Sequence, residues 1–348
     1  MSVYLSTYHS PSIAPKGFVS RTSLLLCIGA CLFSCNDDRS NSIQEQWKTA
    51  FYAPEAGAYL CAWGQETNGV WVVGGQPERG VVWHRQNDAF REVNVPSGAL
   101  LNWTHGHGDA QWIVGNEGRI LHRPTQNAPW RSESSGVDAP LWGVWTPDGD
   151  VAFAVGGHPV DMGPPDPIIL MRQNGEWTKV PIPETDRVFR ALFKVWGTAR
   201  DNVYAVGARG VVLHYNGVHW TQEVSNTVRD IVSLWGTGPD NILAVGGRSN
   251  GMLLAFDGVE WRETILETEP GMNGVWINSR GEAIVVGERG RTLIVDTESM
   301  DYTRDDSITT TLLHGVWGTD AGYRIAVGGS LDRNPPWEGV AVERIARP

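Results

Sequence analysis

The chain has 348 residues, of which 41% are hydrophobic, and it carries 17 Trp, 4 Cys and a formal net charge of -11 at pH 7. An acidic protein repels phosphate groups, so this composition argues against nucleic acid as a partner. The length suits one closed domain after a short leader, and no apolar stretch reaches the roughly 20 residues that a membrane-spanning helix needs.

The first 35 residues have the pattern of an export signal. Lys16 and Arg21 precede an apolar stretch at residues 24–33, which small residues separate from Cys35. Removal of this leader would take away two basic residues and no acidic one, so the mature chain would be more acidic still.

The end of the leader resembles the lipobox of bacterial lipoproteins. The matching run is Leu32-Phe33-Ser34-Cys35, and Ile28-Gly29-Ala30-Cys31 is a second acceptable site. The resemblance implies cleavage before Cys35 and a diacylglycerol group on its sulfur, and Asn36 implies retention in the outer membrane. An ordinary signal peptide that is cleaved elsewhere is the alternative.

These features predict three segments: a lipoprotein signal peptide at 1–35, a short tether at 36–43 and a folded domain at 44–348. The membrane is then reached only through the lipid anchor. Cys61 would be the one unmodified cysteine left, so we expect no intrachain disulfide in the envelope.

A unit of about 41 residues recurs along the folded domain, which is the period of four-stranded propeller blades. Each copy has an anchor Trp that is followed, about ten residues later, by a Val-Gly pair. The seven anchors are Trp63, Trp103, Trp145, Trp196, Trp235, Trp276 and Trp317.

One unit divides into four short strands, a to d from the axis outward. In the copy at 191–224, apolar or alternating runs are separated by turn residues, and Asn216-Gly217 is a hairpin signal. No stretch has the 3.6-residue period of a helix. The sequence therefore predicts an all-β, seven-bladed propeller of four-stranded antiparallel blades.

A second aromatic position recurs in strand d and predicts how the ring closes. It is occupied by Trp47, Phe90, Trp130, Trp177, Trp220, Trp261 and Tyr302. Trp47 precedes the first blade, whereas the last unit ends after strand c. We therefore expect the segment around Trp47 to pair with residues 339–345 and complete blade 7. Because these rings recur in every blade, we interpret them as interblade packing rather than a sugar cage.

Two short patterns have competing interpretations. Cys61 aligns with Leu101 and a set of mostly small residues in the other copies of strand a, so we interpret it as a buried, inert thiol near the axis. The string from Thr104 to Asp109 contains His105 and His107 and resembles a metal site, but no third ligand is recognisable. We interpret it as a turn between strands a and b, and expect no metal or cofactor.

Three hairpins resemble part of the Asp-box of sialidase-type and photosystem-assembly propellers. They are Asn174-Gly175-Glu176-Trp177, the copy that ends at Trp220 and the copy that ends at Trp261. The Ser and Thr of that motif are missing, and no sialidase arginine triad can be assigned. The chain more closely resembles bacterial lipoprotein propellers with WG and VG repeats, and this likeness implies a binding or assembly factor.

Three lengthened connections fall on one side of the predicted disc, where strand b joins c and strand d joins the next a. They are residues 157–167, residues 329–338 and the crossing from Trp177 to Trp196. Proline-rich loops keep their shape because their unfolded states are restricted, which suits recognition, although tolerated insertion is the alternative. The candidate binding residues are His158, Asp161, Asp166, Arg187, Arg190, Arg333 and Trp337.

These observations predict a monomeric, non-catalytic, envelope-anchored module that binds a protein or a glycan on the b–c/d–a face. A carbohydrate-active enzyme, a polysaccharide lyase or glycosidase, is the alternative; it would use His158, Asp161, Asp166 and Arg187. A purely structural propeller is a third possibility.

Overall fold

The computed structural model describes residues 46–160, 163–305, 308–330 and 337–345. In these residues, 28 strands form seven four-stranded antiparallel sheets, which confirms the predicted seven-bladed propeller. The expected signal peptide and tether, 1–43, lie outside the described residues. No helix in the described ranges is long and apolar enough to cross a bilayer.

The strands are numbered in chain order, and each blade is given from strand a to strand d. Strand β1 (Lys48–Phe51) comes first. Blade 1 contains β2 (Ala58–Trp63), β3 (Trp71–Gln76), β4 (Arg79–Gln86) and β5 (Ala89–Glu92). Blade 2 contains β6 (Leu101–His107), β7 (Ala110–Gly115), β8 (Ile120–Arg123) and β9 (Arg131–Glu133). Blade 3 contains β10 (Leu141–Trp145), β11 (Ala152–Gly156), β12 (Ile168–Gln173) and β13 (Glu176–Val180).

Blade 4 contains β14 (Leu192–Ala199), β15 (Asn202–Gly207), β16 (Val212–Tyr215) and β17 (Trp220–Glu223). Blade 5 contains β18 (Ile231–Gly238), β19 (Asn241–Gly247), β20 (Gly251–Phe256) and β21 (Trp261–Leu266). Blade 6 contains β22 (Met272–Ile277), β23 (Glu282–Gly287), β24 (Thr292–Asp296) and β25 (Tyr302–Asp305). Blade 7 contains β26 (Leu313–Gly318), β27 (Arg324–Gly329) and β28 (Gly339–Arg344). Short 3-10 turns lie at Pro54–Ala56, Thr67–Gly69, Ala208–Gly210 and Glu288–Gly290.

The ring closes as the sequence predicts. Strand β1 pairs antiparallel with β28, so that the N-terminal strand becomes the outer strand of blade 7. The indole Nε1 of Trp47 donates a 2.8 Å hydrogen bond to Asp305 of blade 6, and Lys48 lies 3.2 Å from Glu343. Closure leaves no open sheet edge between the first and last blades.

The anchor aromatics explain why a glycine follows most of them. The ring of Trp63 lies over Gly106 in blade 2, and the ring of Trp145 lies over Gly197 in blade 4. A Cβ atom at either glycine would come within 3.1 Å of the indole. The glycine of one blade thus forms the flat surface on which the ring of the preceding blade packs.

Blade 2 departs from the predicted alignment. His105 pairs with Trp112 as Trp63 pairs with Trp71, so His105 occupies the anchor position. Trp103 instead pairs with Val114, as Cys61 pairs with Val73. The assignment of Trp103 as an anchor and the alignment of Cys61 with Leu101 were therefore wrong, because the hairpin of blade 2 is one residue shorter between the anchor and its partner and has a His rather than a Trp at the anchor position.

The interpretation of residues 104–109 as a turn was also wrong. Strand β6 continues to His107, and only Gly108 and Asp109 form the turn. His105 is 9% exposed, its ring centroid lies 5.0 Å from that of Trp63, and its Nδ1 accepts a hydrogen bond from the Thr146 amide. Burial lowers the pKa of His105 to about 3, so this imidazole is a neutral core residue.

Candidate binding face

The seven strands a surround the axis, because each one contacts strand a of the next blade. Side chains from three of them meet across it. The Lys194 ammonium of blade 4 lies 3.0 Å from the ring centroid of Trp103 in blade 2, and the ring of His105 lies 6.3 Å from Trp235 of blade 5. Because these pairs come from blades that are not neighbours, their side chains occupy the axis.

The axial positions give little support to catalysis at the centre of the ring. They hold Cys61, Trp103, Gly143, Lys194, Ser233, Gly274 and Gly315, which include no carboxylate. Burial raises the pKa of the Cys61 thiol to about 12 and lowers the pKa of Lys194 to about 7. The thiol is protonated at neutral pH, in agreement with its interpretation as inert.

The b–c connections follow a rule of alternation between blades. In blades 1, 3, 5 and 7 strand b ends in two glycines, and the second has a positive φ, as in Gly157 (123°) and Gly329 (153°). In blades 2, 4 and 6 a short turn has a non-glycine residue at positive φ: Glu117, Arg209 or Arg289. The two lengthened b–c loops, in blades 3 and 7, both begin at such a pair of glycines. The positive φ of the second glycine directs the chain away from the path of the short turn.

A groove of about 590 Å³ lies beside the lengthened connections of blade 3. Two b–c loop prolines, the end of β13 and the crossing to blade 4 form it. Its lining consists of Pro165, Asp166, Pro167, Lys179, Val180, Pro181, Ile182, Thr185, Val188 and Phe189. Most of these side chains are apolar, and Val188 is 65% exposed.

Arginines hold the crossing that forms one wall of this groove. Arg187 binds Asp186 through Nε (2.9 Å) and Nη2 (2.8 Å), and its Nη1 donates to the carbonyls of Arg209 (3.0 Å) and Thr227 (2.8 Å). Arg190 Nη1 donates to the Gly163 carbonyl at 2.7 Å and so ties the crossing to the b–c loop. These contacts place a d–a crossing against b–c connections on one face.

The other nominated residues have different environments. His158 is exposed, whereas Trp337 is half-buried, and its buried Nε1 has no hydrogen-bond partner among the residues that the structure describes. Asp166 forms an exposed ion pair with Lys179 at 2.8 Å. Asp161 and Arg333 lie outside the described residues.

The nominated catalytic cluster is not assembled in the described part of the chain. Asp166 is paired with Lys179, and Arg187 is paired with Asp186 and two carbonyls. Arg187 does not line the groove that contains Asp166. A glycosidase requires two carboxyl groups that flank one bond, and the groove lining contains Asp166 as its single carboxylate.

Sequence reasoning missed the apolar wall of the groove. The criteria applied to the sequence were charge and loop length, and these do not select Pro181, Ile182, Val188 and Phe189. The sequence feature that indicates these residues is a short run of prolines and apolar residues inside a crossing that is otherwise polar. An exposed apolar surface next to rigid loops is the more informative feature of a binding protein.

Comparison with solved structures places the chain among seven-bladed and WD40-type propellers by fold. A structure titled "YCF48 bound to D1 peptide" matches with a TM-score of 0.63 and 12% identity, covering 86% of this chain and 97% of that one. YCF48 from Cyanidioschyzon merolae matches with a TM-score of 0.62 and 15% identity over 86% and 98% of the two chains. The WD40 propeller of Doa1 matches with a TM-score of 0.62 and 11% identity over 85% and 96%.

No protein-family model and no curated protein sequence matches this chain. Identities of 11 to 15% establish the shared propeller fold and leave the binding specificity of this chain to its own residues.

Proposed function

We propose that this protein is a non-catalytic binding module that takes up an extended segment of a protein partner in the groove of blade 3. The observation that carries the proposal is the groove itself, with its prolines, Ile182, Val188 and Phe189. Prolines are rigid before binding, so a partner that docks there loses little of its interaction energy to ordering the wall.

The lining favours a peptide over a glycan. Sugar sites generally present the open face of an aromatic ring together with several polar groups. In this groove the one aromatic residue, Phe189, is 3% exposed, and Asp166 and Lys179 already neutralise each other. Aliphatic side chains of a peptide would cover Val188 and Ile182, and the charged pair at the rim would contact its backbone or polar groups.

The test is selection of peptides from a displayed library against the full-length chain, followed by fluorescence anisotropy with an enriched peptide. Val188→Asp should weaken binding at least about tenfold, or about 1.4 kcal/mol, because it places a charge against an apolar ligand. Val218→Asp is the matched control, since Val218 is an 82% exposed valine in a c–d turn on the opposite face. Equal affinities for the two variants would contradict the groove as the site.

We also propose that the module works from the bacterial outer membrane, to which Cys35 is attached by lipid. The support is the lipobox-like run before Cys35 and the Asn that follows it. Cys35→Ser should move the protein from the membrane fraction to the soluble fraction and abolish incorporation of labelled fatty acid. Cys31→Ser is the control and should change neither; loss of label in Cys31→Ser alone would place the lipid there instead.

A further inference from the structure

A carboxylate recurs between blades, three residues after the aromatic position of strand d. In blade 2 this residue is Glu133. It accepts hydrogen bonds from His122 Nδ1 at 2.8 Å, from Arg172 of blade 3 at 3.0 and 3.1 Å, and from Trp177 Nε1 of blade 3 at 2.7 Å. One strand-c His, one Arg and one Trp thus converge on a single carboxylate.

Two other interfaces contain two of these three donors around a carboxylate. Glu223 of blade 4 accepts a hydrogen bond from Trp261 Nε1 at 2.6 Å and lies 3.3 Å from His214 Nδ1. Asp305 of blade 6 accepts one from Trp47 Nε1 at 2.8 Å and pairs with Arg344 at 3.0 Å. The carboxylate is therefore a repeated device that satisfies the buried donors of the next blade.

Blade 1 has the donors but not the acceptor. Val93 occupies the carboxylate position, opposite Val82 as Glu133 is opposite Ile120. His84 occupies the position of His122, and Arg123 and Trp130 occupy those of Arg172 and Trp177. In the described residues, Arg123 Nε and Trp130 Nε1 are buried without a hydrogen-bond partner.

The interface between blades 3 and 4 has lost the carboxylate together with two of its three donors and keeps only the indole of Trp220, whose Nε1 is also without a partner in the described residues. Val180 takes the carboxylate position there, but Met171 replaces the histidine and Tyr215 replaces the arginine. That interface has become apolar around Trp220. The interface between blades 1 and 2 has lost the carboxylate at this position and keeps a partly buried arginine, on which the charge of the exposed Asp109 acts.

A pocket of about 410 Å³ opens onto these donors from the a–b/c–d face. Trp71, His84 and Arg123 line it. The Arg123 guanidinium lies 4.4 Å from the ring centroid of Trp71 and 5.4 Å from that of Trp130. Arg123 is held by weak contacts to the carbonyl of Gln126 (3.2 Å) and to Gln111 (3.4 Å). Arg123 and His84 are therefore reachable through the pocket, whereas the Trp130 indole lies behind Arg123 and does not line it.

The charges around the pocket restrict its ligand. Burial, together with the positive charge of Arg123, lowers the pKa of His84 to about 4, so the imidazole is neutral at pH 7 and Arg123 is the cation. Two exposed carboxylates, Glu66 and Asp109, lie at the rim and oppose large or multiply charged anions.

We propose that the pocket between blades 1 and 2 binds a small free carboxylate, whose oxygens accept hydrogen bonds from Arg123 and His84, the counterparts of Arg172 and His122 in the next interface. The site lies on the opposite face from the peptide groove and is independent of it.

The test is a titration of the full-length protein with sodium acetate against sodium chloride at equal ionic strength. The indole N–H resonance of Trp130, assigned with Trp130→Phe, should shift saturably with acetate, and the resonance of Trp220 should not. Arg123→Gln should reduce the affinity for acetate at least about tenfold, because it removes the charged donor. Absence of a saturable shift at Trp130 would overturn the proposal.

A substituted carboxylate gives a second test that does not depend on the choice of ligand. Val93→Glu should supply the missing acceptor, raise the melting temperature and abolish the response to acetate. Val180→Glu, at the matching position between blades 3 and 4, should not raise the melting temperature, because only the Trp220 indole is left there to donate to the new carboxylate and no arginine pairs with it. Equal destabilisation by the two variants would show that the donors of blade 1 do not form a carboxylate site.

Discussion

Replacing Glu133 with Val would convert the interface between blades 2 and 3 into the type found between blades 1 and 2. Burial raises the pKa of Glu133, but the hydrogen bonds from His122, Arg172 and Trp177 outweigh it and lower the pKa from 4.5 to about 2. This change corresponds to about 3 kcal/mol in favour of the ionised form. Since the side chain is 19% exposed, most of this energy should persist in water.

We therefore expect Glu133→Val to lower the free energy of unfolding by about 3 kcal/mol, because it also leaves a buried arginine and indole unpaired. The measurement is chemical denaturation at pH 7 followed by tryptophan fluorescence. Glu92→Val is the control: Glu92 and Arg79 are 46% and 56% exposed, so breaking this pair should cost less than about 1 kcal/mol. A loss for Glu133→Val no larger than that of the control would refute the reasoning.

The same carboxylate predicts a dependence on pH. Because the folded pKa of Glu133 is depressed, its contribution is fully present above the unfolded pKa of 4.5 and disappears as the pH falls toward 2. The stability difference between the wild type and Glu133→Gln should close over this range. A difference that stays constant from pH 6 to pH 3 would contradict the assigned hydrogen bonds.

Two further predictions concern the ring. Removal of residues 1–51 deletes β1 and should lower the melting temperature by several degrees or more. Removal of residues 1–43 leaves β1 in place and should not lower it. Equal melting curves for the two truncations would refute closure by β1. His105→Ala should cost about 2 kcal/mol, because it removes a buried ring and leaves the Thr146 amide without its acceptor, whereas the exposed His107→Ala should be neutral. Thermal unfolding checks both, and an unchanged melting temperature in His105→Ala would contradict the core position.

The periodicity of the chain was sufficient to predict the number of blades, their four strands and the closing strand. A repeat of about 41 residues with aromatic, Val-Gly and Asn-Gly positions admits few other architectures, because each unit leaves an apolar face that only the next unit covers. Asn216 and Asp257 form the predicted turns through hydrogen bonds from the amides two and three residues later.

The sequence was misleading in blade 2, where a Trp stands two residues before the anchor position. Trp103 has the residue type of an anchor, but the strand pairing places Trp103 with Cys61 and Lys194 at the axis, and places His105 among the anchors. Spacing contained a hint, since Trp103 is eleven residues from its Val and the other anchors are ten. Trp103 and His105 are two residues apart and lie on the same face of the strand, so the alternation of side chains does not distinguish them and only the pairing with β7 does.

The repeat and its hydrophobic pattern therefore determined the propeller, because they act locally within each unit and between neighbouring units. Only the tertiary structure decided where donors meet their acceptors. His84 and Arg123 look like repeat residues in the sequence, and they become a candidate anion site because strands β4 and β8 of two blades bring them into one pocket, at an interface where Val93 has no oxygen to offer. Whether a donor has an acceptor in the neighbouring blade depends on residues that are far apart in the sequence, so such a site can be recognised only once the packing of the blades is known.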